Sequence, residues 1–433
     1  MNKGWKRIGL GLLAATALFS LAACGGSGDK KESAGKSDDV TIDVFQFKVE
    51  FNEQFKAAAK MYEEENPGVK INISTVGGGD DYGAALKTKF ASGEEPDIFN
   101  IGGPEDLKTW EKSLADVSDT KAFGEALEGT LDGVTKGDEV LGLPYNMEGY
   151  GLLYNKEVFE KAGIDPTSIK TQADLRKAVE TLDKDKEKLG LDAVFAFPAK
   201  ETWITGLHGA NLFLAPEFDN DVNKAYEAKE LEFKYNKEFK EYIDLQQKYS
   251  VQPTTSLDYS KQMEELFSNG KVALTQQGNW VYGTIDEIDP EFAETNVGIL
   301  PVPIDGVSEQ KLPVGVPNYW AFNKNSSDKE QEEAKKFIDW LYTSEQGKKT
   351  VIEDFKFIPA YNGYDADKIA DPLSKEVYDY SSKGNTTGWV FMGYPTDWGM
   401  NVLGAGIQKY VSDEATWDEL MKEVKTSWDD SRK

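Results

Sequence analysis

The chain contains few of the residues that carry covalent or metal chemistry. It has 433 residues but a single cysteine, Cys24, and a single histidine, His208. No disulfide can form within one chain, and a zinc site built from cysteine and histidine ligands is excluded. The sequence also lacks the G-x-S-x-G and G-x-x-x-x-G-K-S/T motifs. We therefore expect no catalytic residues, no metal and no cofactor, and a structural role for His208.

Tryptophan side chains are better candidates for ligand binding than the single cysteine and histidine are for catalysis. The chain has ten of them, and five lie outside helical patterns beside turn residues: Trp203, Trp280, Trp320, Trp389 and Trp398. An indole ring presents a flat apolar surface at low cost in conformational entropy. Because loops carry binding residues more often than core elements do, these five are candidate ligand contacts.

The first part of the globular body predicts a βαβαβ unit. Apolar alternation and helical spacing indicate strands at 40–47, 69–74 and 96–101, with helices at 51–65 and 82–91. This order predicts a mostly parallel α/β sheet. Ligands bind such sheets at the carboxyl ends of the strands. Gln46 and Asn100, near the ends of the first and third strands, are therefore candidate ligand contacts.

Two further helices have clear sequence signals. Thr171 and Asp174 form a capping box, which predicts a helix that begins beside Thr171. Near the end of the chain, apolar residues from Trp417 to Trp428 recur on one helical face. That pattern predicts a helix docked on the body.

The amino terminus has the anatomy of an export signal. Three basic residues lie among the first seven, and residues 8–23 are largely apolar. The segment ends in Leu-Ala-Ala-Cys-Gly, which resembles the lipobox of bacterial lipoproteins. This resemblance implies a signal peptide at 1–23, cleavage before Cys24, and lipidation (palmitate-type acylation) of Cys24. Residues 24–39 are rich in glycine, serine and charged residues, which is typical of a flexible tether.

The strongly negative net charge argues against certain classes of binding partner. The chain has 49 Lys and Arg against 76 Asp and Glu, a formal charge of −27. Loss of residues 1–23, which carry three basic and no acidic side chains, leaves −30. Such a surface repels phosphate backbones and anionic lipid headgroups. We expect no nucleic-acid partner, and contact with a membrane through a lipid anchor only.

Four sequence blocks resemble, in order, the extracellular solute-binding proteins of carbohydrate ABC importers, the family that includes maltose-binding protein. The first block, 93–98, resembles a G-x-x-P-D-I/V strand. The second, 143–164, resembles an L-P-x motif followed by Y-N-K-x-x-F-x-x-A-G. The third, 265–280, resembles F-x-x-G-x-A/V-A-M followed by G-x-W, with leucine in place of methionine. The fourth, 334–347, resembles a helix that ends in T-S-x-x-G.

The resemblance implies an α/β fold of the two-lobe, periplasmic-binding-protein-like type II class. Its lobes are discontinuous and joined by a hinge. The N-lobe would comprise 40–146 plus 297–344, and the C-lobe 147–296 plus 345–433. The chain would cross the hinge near 145–149, 294–299 and 343–348.

The resemblance also implies roles for particular residues. Trp280 matches the family's stacking tryptophan, Trp398 matches a second stacking aromatic, and Glu148 matches a sugar-binding acid beside the hinge. Trp203 has no firm motif, and alternation along an extended strand leaves open which of Asn318, Tyr319 and Trp320 faces the cleft. The expected ligand-binding residues are thus Gln46, Asn100, Glu148, Trp203, Trp280, Trp320 and Trp398, with Asp80, Asp81 and Trp389 as weaker candidates.

The function implied is a lipid-anchored, non-enzymatic receptor on the extracellular face of the cell membrane, or facing the periplasm if the cell has an outer membrane. As a monomer it would capture a sugar or oligosaccharide between its lobes and deliver it to the permease subunits of an ABC importer. Three alternatives stay open. The scaffold could bind a polyamine, peptide or iron complex, act as an adhesin or sensor-linked receptor, or be a glycosidase that uses Glu148 and Asp397.

Overall fold

The computed structural model describes residues 39–77, 81–308 and 310–433, and residues 39–433 form one compact unit. The predicted signal peptide, Cys24, nearly all of the tether and Asp80 lie outside the described residues. No helix in the described part of the chain is long and apolar enough to cross a membrane.

The strands of the described residues are short and divide into three sheets. They are β1 (Val40–Gln46), β2 (Val69–Thr75), β3 (Ile98–Ile101), β4 (Thr135–Lys136), β5 (Glu139–Val140), β6 (Leu143–Pro144), β7 (Glu148–Asn155), β8 (Ala193–Phe195), β9 (Val272–Gly278), β10 (Val297–Leu300), β11 (Leu312–Gly315), β12 (Tyr319–Phe322) and β13 (Thr386–Thr387).

Helices surround the sheets. They are α1 (Asn52–Glu65), α2 (Tyr82–Ser92), α3 (Pro104–Trp110), α4 (Lys121–Glu125), α5 (Lys156–Lys161), α6 (Gln172–Leu189), α7 (Ala210–Leu214), α8 (Val222–Glu227), α9 (Asn236–Lys248), α10 (Tyr282–Ile288), α11 (Pro290–Thr295), α12 (Asp328–Thr343), α13 (Glu345–Lys349), α14 (Pro372–Ser382), α15 (Ala405–Val411) and α16 (Trp417–Ser431).

The first sheet has the order β2-β1-β3-β12-β6. The β1 strand pairs in parallel with both β2 and β3, whereas β12 runs antiparallel to β3 and β6. Val40, Ile42 and Val44 of β1 are buried and alternate with exposed residues early in the strand, as a half-covered strand requires. The predicted βαβαβ unit is confirmed, and it brings the carboxyl ends of β1 and β3 to one edge.

The second sheet has the order β13-β11-β7-β9-β8, and β10 also pairs with β7. All eight residues of β7 are buried, because helices and neighbouring strands cover both of its faces. β10 and β11 both hydrogen-bond to β7, at different points along it. The sequence prediction placed residues 297–315 in the N-lobe; in the structure their strands belong to the sheet built around β7.

Two short segments lead from one sheet to the other. The first links β6 to β7, and Met147 within it forms an isolated bridge to Ile358. The second links β11 to β12, and the Asn318 carbonyl in it accepts a 3.0 Å hydrogen bond from the Tyr145 amide. The two connections therefore run side by side, in the arrangement of a two-lobe α/β fold.

Candidate functional site

Gln46 lies at the end of β1, where the sequence analysis predicts a ligand contact. In the structure, its side-chain amide is instead hydrogen-bonded to other residues of the protein. Its Nε2 donates to the Lys48 carbonyl at 3.0 Å and to Thr75 Oγ1 at 2.7 Å. Its Oε1 accepts from the Lys48 amide at 2.6 Å and from the Tyr145 hydroxyl at 3.2 Å. Gln46 is fully buried and fixes the turn that presents Lys48.

Lys48 and Glu148 form a buried ion pair between the two sheets. Lys48 follows β1 of the first sheet, Glu148 begins β7 of the second, and the side chains are 5% and 6% exposed. Asn146 Nδ2 donates to the same Glu148 oxygen at 3.2 Å. Because either charge alone would be buried without compensation, separating the carboxylate from the ammonium is costly. The pair is therefore expected to stay intact.

Asn100 lies on β3 with an amide group that lacks a partner. It is 1% exposed, and within the described residues neither its Nδ2 nor its Oδ1 has a hydrogen-bond partner. Asn146 Oδ1 is likewise buried without a partner in the described part of the chain. Buried polar groups are normally satisfied, and each exception costs about 1–3 kcal/mol. Each of these atoms would gain a hydrogen bond from a hydroxyl that reached it.

Tyr82 braces this edge of the first sheet. As the first residue of α2, it places its hydroxyl across the ends of β1 and β3, where it donates to the Phe45 carbonyl at 3.1 Å and accepts from the Asn100 amide at 2.7 Å. Half-buried Phe47 contacts the Tyr82 ring, with centroids 5.7 Å apart. The Asn100 backbone is therefore fixed although its side-chain amide is not.

Trp280 provides a half-buried ring beside the start of β7. It follows β9, and its Nε1 donates to Gln277 Oε1 at 3.0 Å. A Cβ atom at Gly278 would lie 2.2 Å from the indole and 2.6 Å from the Gly149 carbonyl oxygen. Only glycine at 278 lets the ring lie this close to the strand that carries Glu148.

Trp203 and His208 extend the aromatic surface, and both are half-buried. The His208 ring is 5.3 Å from Trp203 and 5.2 Å from Trp280, and it stacks on Tyr150 at 4.4 Å with an interplanar angle of 12°. Burial lowers the pKa of His208 to about 3. The imidazole is therefore neutral at physiological pH and acts as one more flat ring.

Trp389 joins this aromatic group to a cavity between the two sheets. Its ring is 5.7 Å from His208 and 5.2 Å from Phe391. The cavity has a volume of about 420 Å³, and its wall includes Trp389, Met147, Tyr319 and Gly103. Trp389 Nε1 is buried, and among the residues described here it has no acceptor. The cavity wall thus draws on both sheets.

Trp320 and Trp398 are held in the two cores. Trp320 is 1% exposed, stacks on Tyr145 at 4.2 Å and donates through Nε1 to the Tyr342 hydroxyl at 2.9 Å. Trp398 is also 1% exposed and donates to the Val424 carbonyl at 3.0 Å, edge-on to Trp428. Both indole N–H groups are satisfied internally, so neither ring offers a free face.

The structure thus brings Trp203 and Trp280 together beside β7, the strand that Glu148 begins, and it places Asn100 on β3 of the first sheet. It also adds residues that the sequence analysis did not select. Lys48 and His208 have no distinguishing motif, because their contacts with Glu148 and Tyr150 join residues far apart in sequence. Asn146 and Tyr150 lie within the 143–164 block, but the motif does not single them out. A cluster of three or more His, Cys, Asp or Glu residues suited to a metal ion is absent from the described ranges.

Comparisons with known proteins agree with this architecture. The model of the bacterial extracellular solute-binding protein family matches residues 48–348. The multiple sugar-binding protein of Streptococcus mutans is 28% identical over 394 residues, which are 87% of this chain and 88% of that protein.

Solved structures show the same fold. The solute-binding protein RafE in complex with raffinose superposes with a TM-score of 0.74 at 17% identity, covering 91% of this chain and 100% of RafE. A chitin oligosaccharide-binding protein gives a TM-score of 0.74 at 23% identity, covering 91% of this chain and 99% of that chain. At these identities the likeness establishes the two-lobe α/β fold.

Proposed function

Because this chain belongs to the bacterial extracellular solute-binding protein family, we propose that it captures a sugar or oligosaccharide between two lobes for an ABC importer. The observation that carries the proposal is the presence of half-buried indole rings beside β7 together with buried side-chain amide atoms, Asn146 Oδ1 and both polar atoms of Asn100, that have no hydrogen-bond partner within the described residues. Sugars have C–H faces that pack on aromatic rings and hydroxyls that both donate and accept. Trp203 and Trp280 suit the faces; Asn100 and Asn146 suit the hydroxyls.

The proposed site is narrower than the set expected from sequence. It comprises Asn100, Asn146, Glu148, Trp203 and Trp280, with His208 and Trp389 as flanking rings. Gln46 supports the site by fixing Lys48. We leave Trp320 and Trp398 out, because their faces and N–H groups are engaged in the cores.

Capture follows from the two-sheet arrangement. The first sheet contributes mainly polar groups and the second mainly aromatic rings, so a ligand that touches both favours the closed state. The Lys48–Glu148 pair between the sheets is largely removed from water, which strengthens its hydrogen bonds. Binding alone is required, and we infer that no bond of the sugar is made or broken.

We place the lobe boundaries with the sheets. The N-lobe begins at residue 40 and crosses to the C-lobe at 145–147. Because β10 and β11 pair with β7, we shift the return crossing from 294–299 to 316–318. The last crossing, expected at 343–348, then falls between Tyr364, whose hydroxyl donates to the Tyr342 carbonyl at 3.0 Å, and α14, which packs on the second sheet.

Placement in the cell is part of the proposal. A lipid on Cys24 and the tether that follows would hold the monomeric body at the extracellular face of the membrane. There the closed, loaded form would meet the permease subunits. Radiolabelled palmitate incorporation into the wild-type chain, and its loss in Cys24→Ala, tests the anchor independently of the sugar.

Calorimetry tests the ligand class. The body is titrated with a panel of monosaccharides and oligosaccharides, together with a polyamine and a short peptide. We expect at least one sugar to bind and neither the polyamine nor the peptide to do so. Binding of the polyamine or peptide with no sugar response would refute the sugar assignment while leaving family membership intact.

A further inference from the structure

A second set of contacts joins the two halves away from the connecting segments. Glu105 lies in the first turn of α3, which follows β3 of the first sheet, and Arg432 lies at the end of α16. Arg432 Nη1 donates to Glu105 Oε1 at 2.5 Å, and the two side chains are 9% and 18% exposed. Exposed ion pairs contribute little, but this one is largely removed from solvent.

Arg432 is held in position by its own half of the molecule. Its Nη2 donates to the Gly393 carbonyl at 2.6 Å. The guanidinium carbon lies 5.1 Å from the centre of the Tyr226 ring and 5.7 Å from that of Trp428. A planar guanidinium fixed in this way loses little entropy when it takes up a carboxylate. Glu105 is the partner that the opposite half supplies.

Neighbouring contacts follow the same line between the halves. A Cβ atom at Gly103 would lie 2.8 Å from Met392 Cβ, so the two backbones meet closely there. Asn223 Nδ2 donates to the Asp132 carbonyl at 3.3 Å. In each case one residue belongs to the half with the first sheet and the other to the half with the second. Opening of the cleft would separate all of these pairs together.

We propose that Arg432 is a positioning residue that latches the closed lobes through Glu105 without touching the sugar. The effect on ligand release rests on the proposed function, whereas the Glu105–Arg432 contact between the two halves does not. A contact present in the closed state and lost in the open state shifts the population toward closure by its own free energy. The latch therefore slows release of a captured ligand and makes the ligand-free protein more compact.

The test uses Glu105→Gln, Arg432→Gln and the double variant. The sugar that binds best in calorimetry is released in stopped-flow experiments, and X-ray scattering gives the radius of gyration with and without it. We expect each single variant to release sugar on the order of tenfold faster, with a nearly unchanged association rate. The double variant should be no faster than either single variant, because all three lack the same contact.

Glu111→Gln is the matched control. Glu111 directly follows α3, and its ion pair with Lys136 stays within one half of the molecule. It should release sugar at the wild-type rate. Unchanged release in Glu105→Gln, or additive effects in the double variant, would overturn the latch.

Scattering keeps the latch testable if the ligand assignment fails. Should the wild type bind no sugar, the proposed function falls, yet ligand-free Glu105→Gln should still have a larger radius of gyration than Glu111→Gln. Equal radii would overturn the latch. Glu105 is half-buried in the first turn of α3 and Gln has nearly the same size, so Glu105→Gln tests the contact even if Arg432→Gln does not fold.

Discussion

The polar edge of the first sheet and the aromatic surface of the second differ in how their side chains are exposed. Lys48 and Asn100 are almost fully buried. Trp203 and Trp280 are half-buried, with their N–H groups bonded to Glu201 and Gln277. The polar side is thus enclosed by the protein, whereas the aromatic side has uncovered area. Under the proposed function, the first sheet would orient the ligand and the second would supply most of the apolar contact.

The largest expected effect is on stability and concerns the buried polar side. Lys48→Met should lower the free energy of unfolding by about 3–5 kcal/mol, because it leaves the Glu148 carboxylate buried without its cation. Chemical denaturation measures the loss. Lys136→Met is the control, since the Lys136–Glu111 pair is exposed and should contribute about 0–1 kcal/mol. Equal effects in the two variants would contradict the assigned role of the buried pair.

The next largest effect is on sugar affinity and concerns the aromatic side. Trp280→Ala should weaken sugar binding by roughly 1–3 kcal/mol, the scale of a lost aromatic contact. Calorimetry measures the affinity, and circular dichroism checks that the fold is intact. Trp340→Ala is a matched control, because Trp340 lies in α12 and bonds to Glu65. Wild-type affinity in a folded Trp280→Ala protein would remove Trp280 from the site.

A smaller effect should appear as pH dependence of stability. His208 is neutral when folded, with a pKa of about 3, and gains a proton on unfolding below its ordinary value of 6.5. The contribution of His208 to the free energy of unfolding has its full value above pH 6.5 and falls as the pH drops toward 3. Between pH 7 and 5 the loss should be about 1–2 kcal/mol. His208→Phe should show a loss smaller by that amount; an identical pH profile would contradict the prediction.

The smallest effect distinguishes binding from folding. Asn100→Leu replaces a buried amide that has no partner in the described residues, so the free protein should gain about 1 kcal/mol of stability or stay unchanged. Sugar affinity should nevertheless fall. Asn323→Leu is the contrast, because Asn323 Nδ2 donates to the Pro96 carbonyl at 3.1 Å and its loss should destabilise. A destabilised Asn100→Leu protein with normal affinity would mean that Asn100 is structural.

Local sequence signals predicted much of the fold. The Thr171–Asp174 capping box does begin α6, and the apolar face from Trp417 to Trp428 does form α16. The pairing of residues 297–315 with β7 was not predictable from local patterns. A short apolar strand carries no record of its partner, and β7 has an edge long enough to accept both β10 and β11 in succession.

The site was harder to predict than the fold. Trp280, Trp320 and Trp398 all stand beside turn residues, yet Trp320 and Trp398 are enclosed by aromatic rings from distant parts of the chain. Burial of an indole depends on those long-range neighbours and not on the adjacent sequence. Lys48 is similar, since only the approach of the residues after β1 to the start of β7 shows that its partner is Glu148.

A crystal structure of the protein with the tightest-binding sugar of the panel tests the central claim most directly. It should show a sugar face packed on Trp280 and a hydroxyl bonded to the Asn100 amide, with the two lobes closed over the ligand. A sugar bound elsewhere, or one that contacts a single lobe while Asn100 keeps no partner, would contradict the division between a polar and an aromatic side.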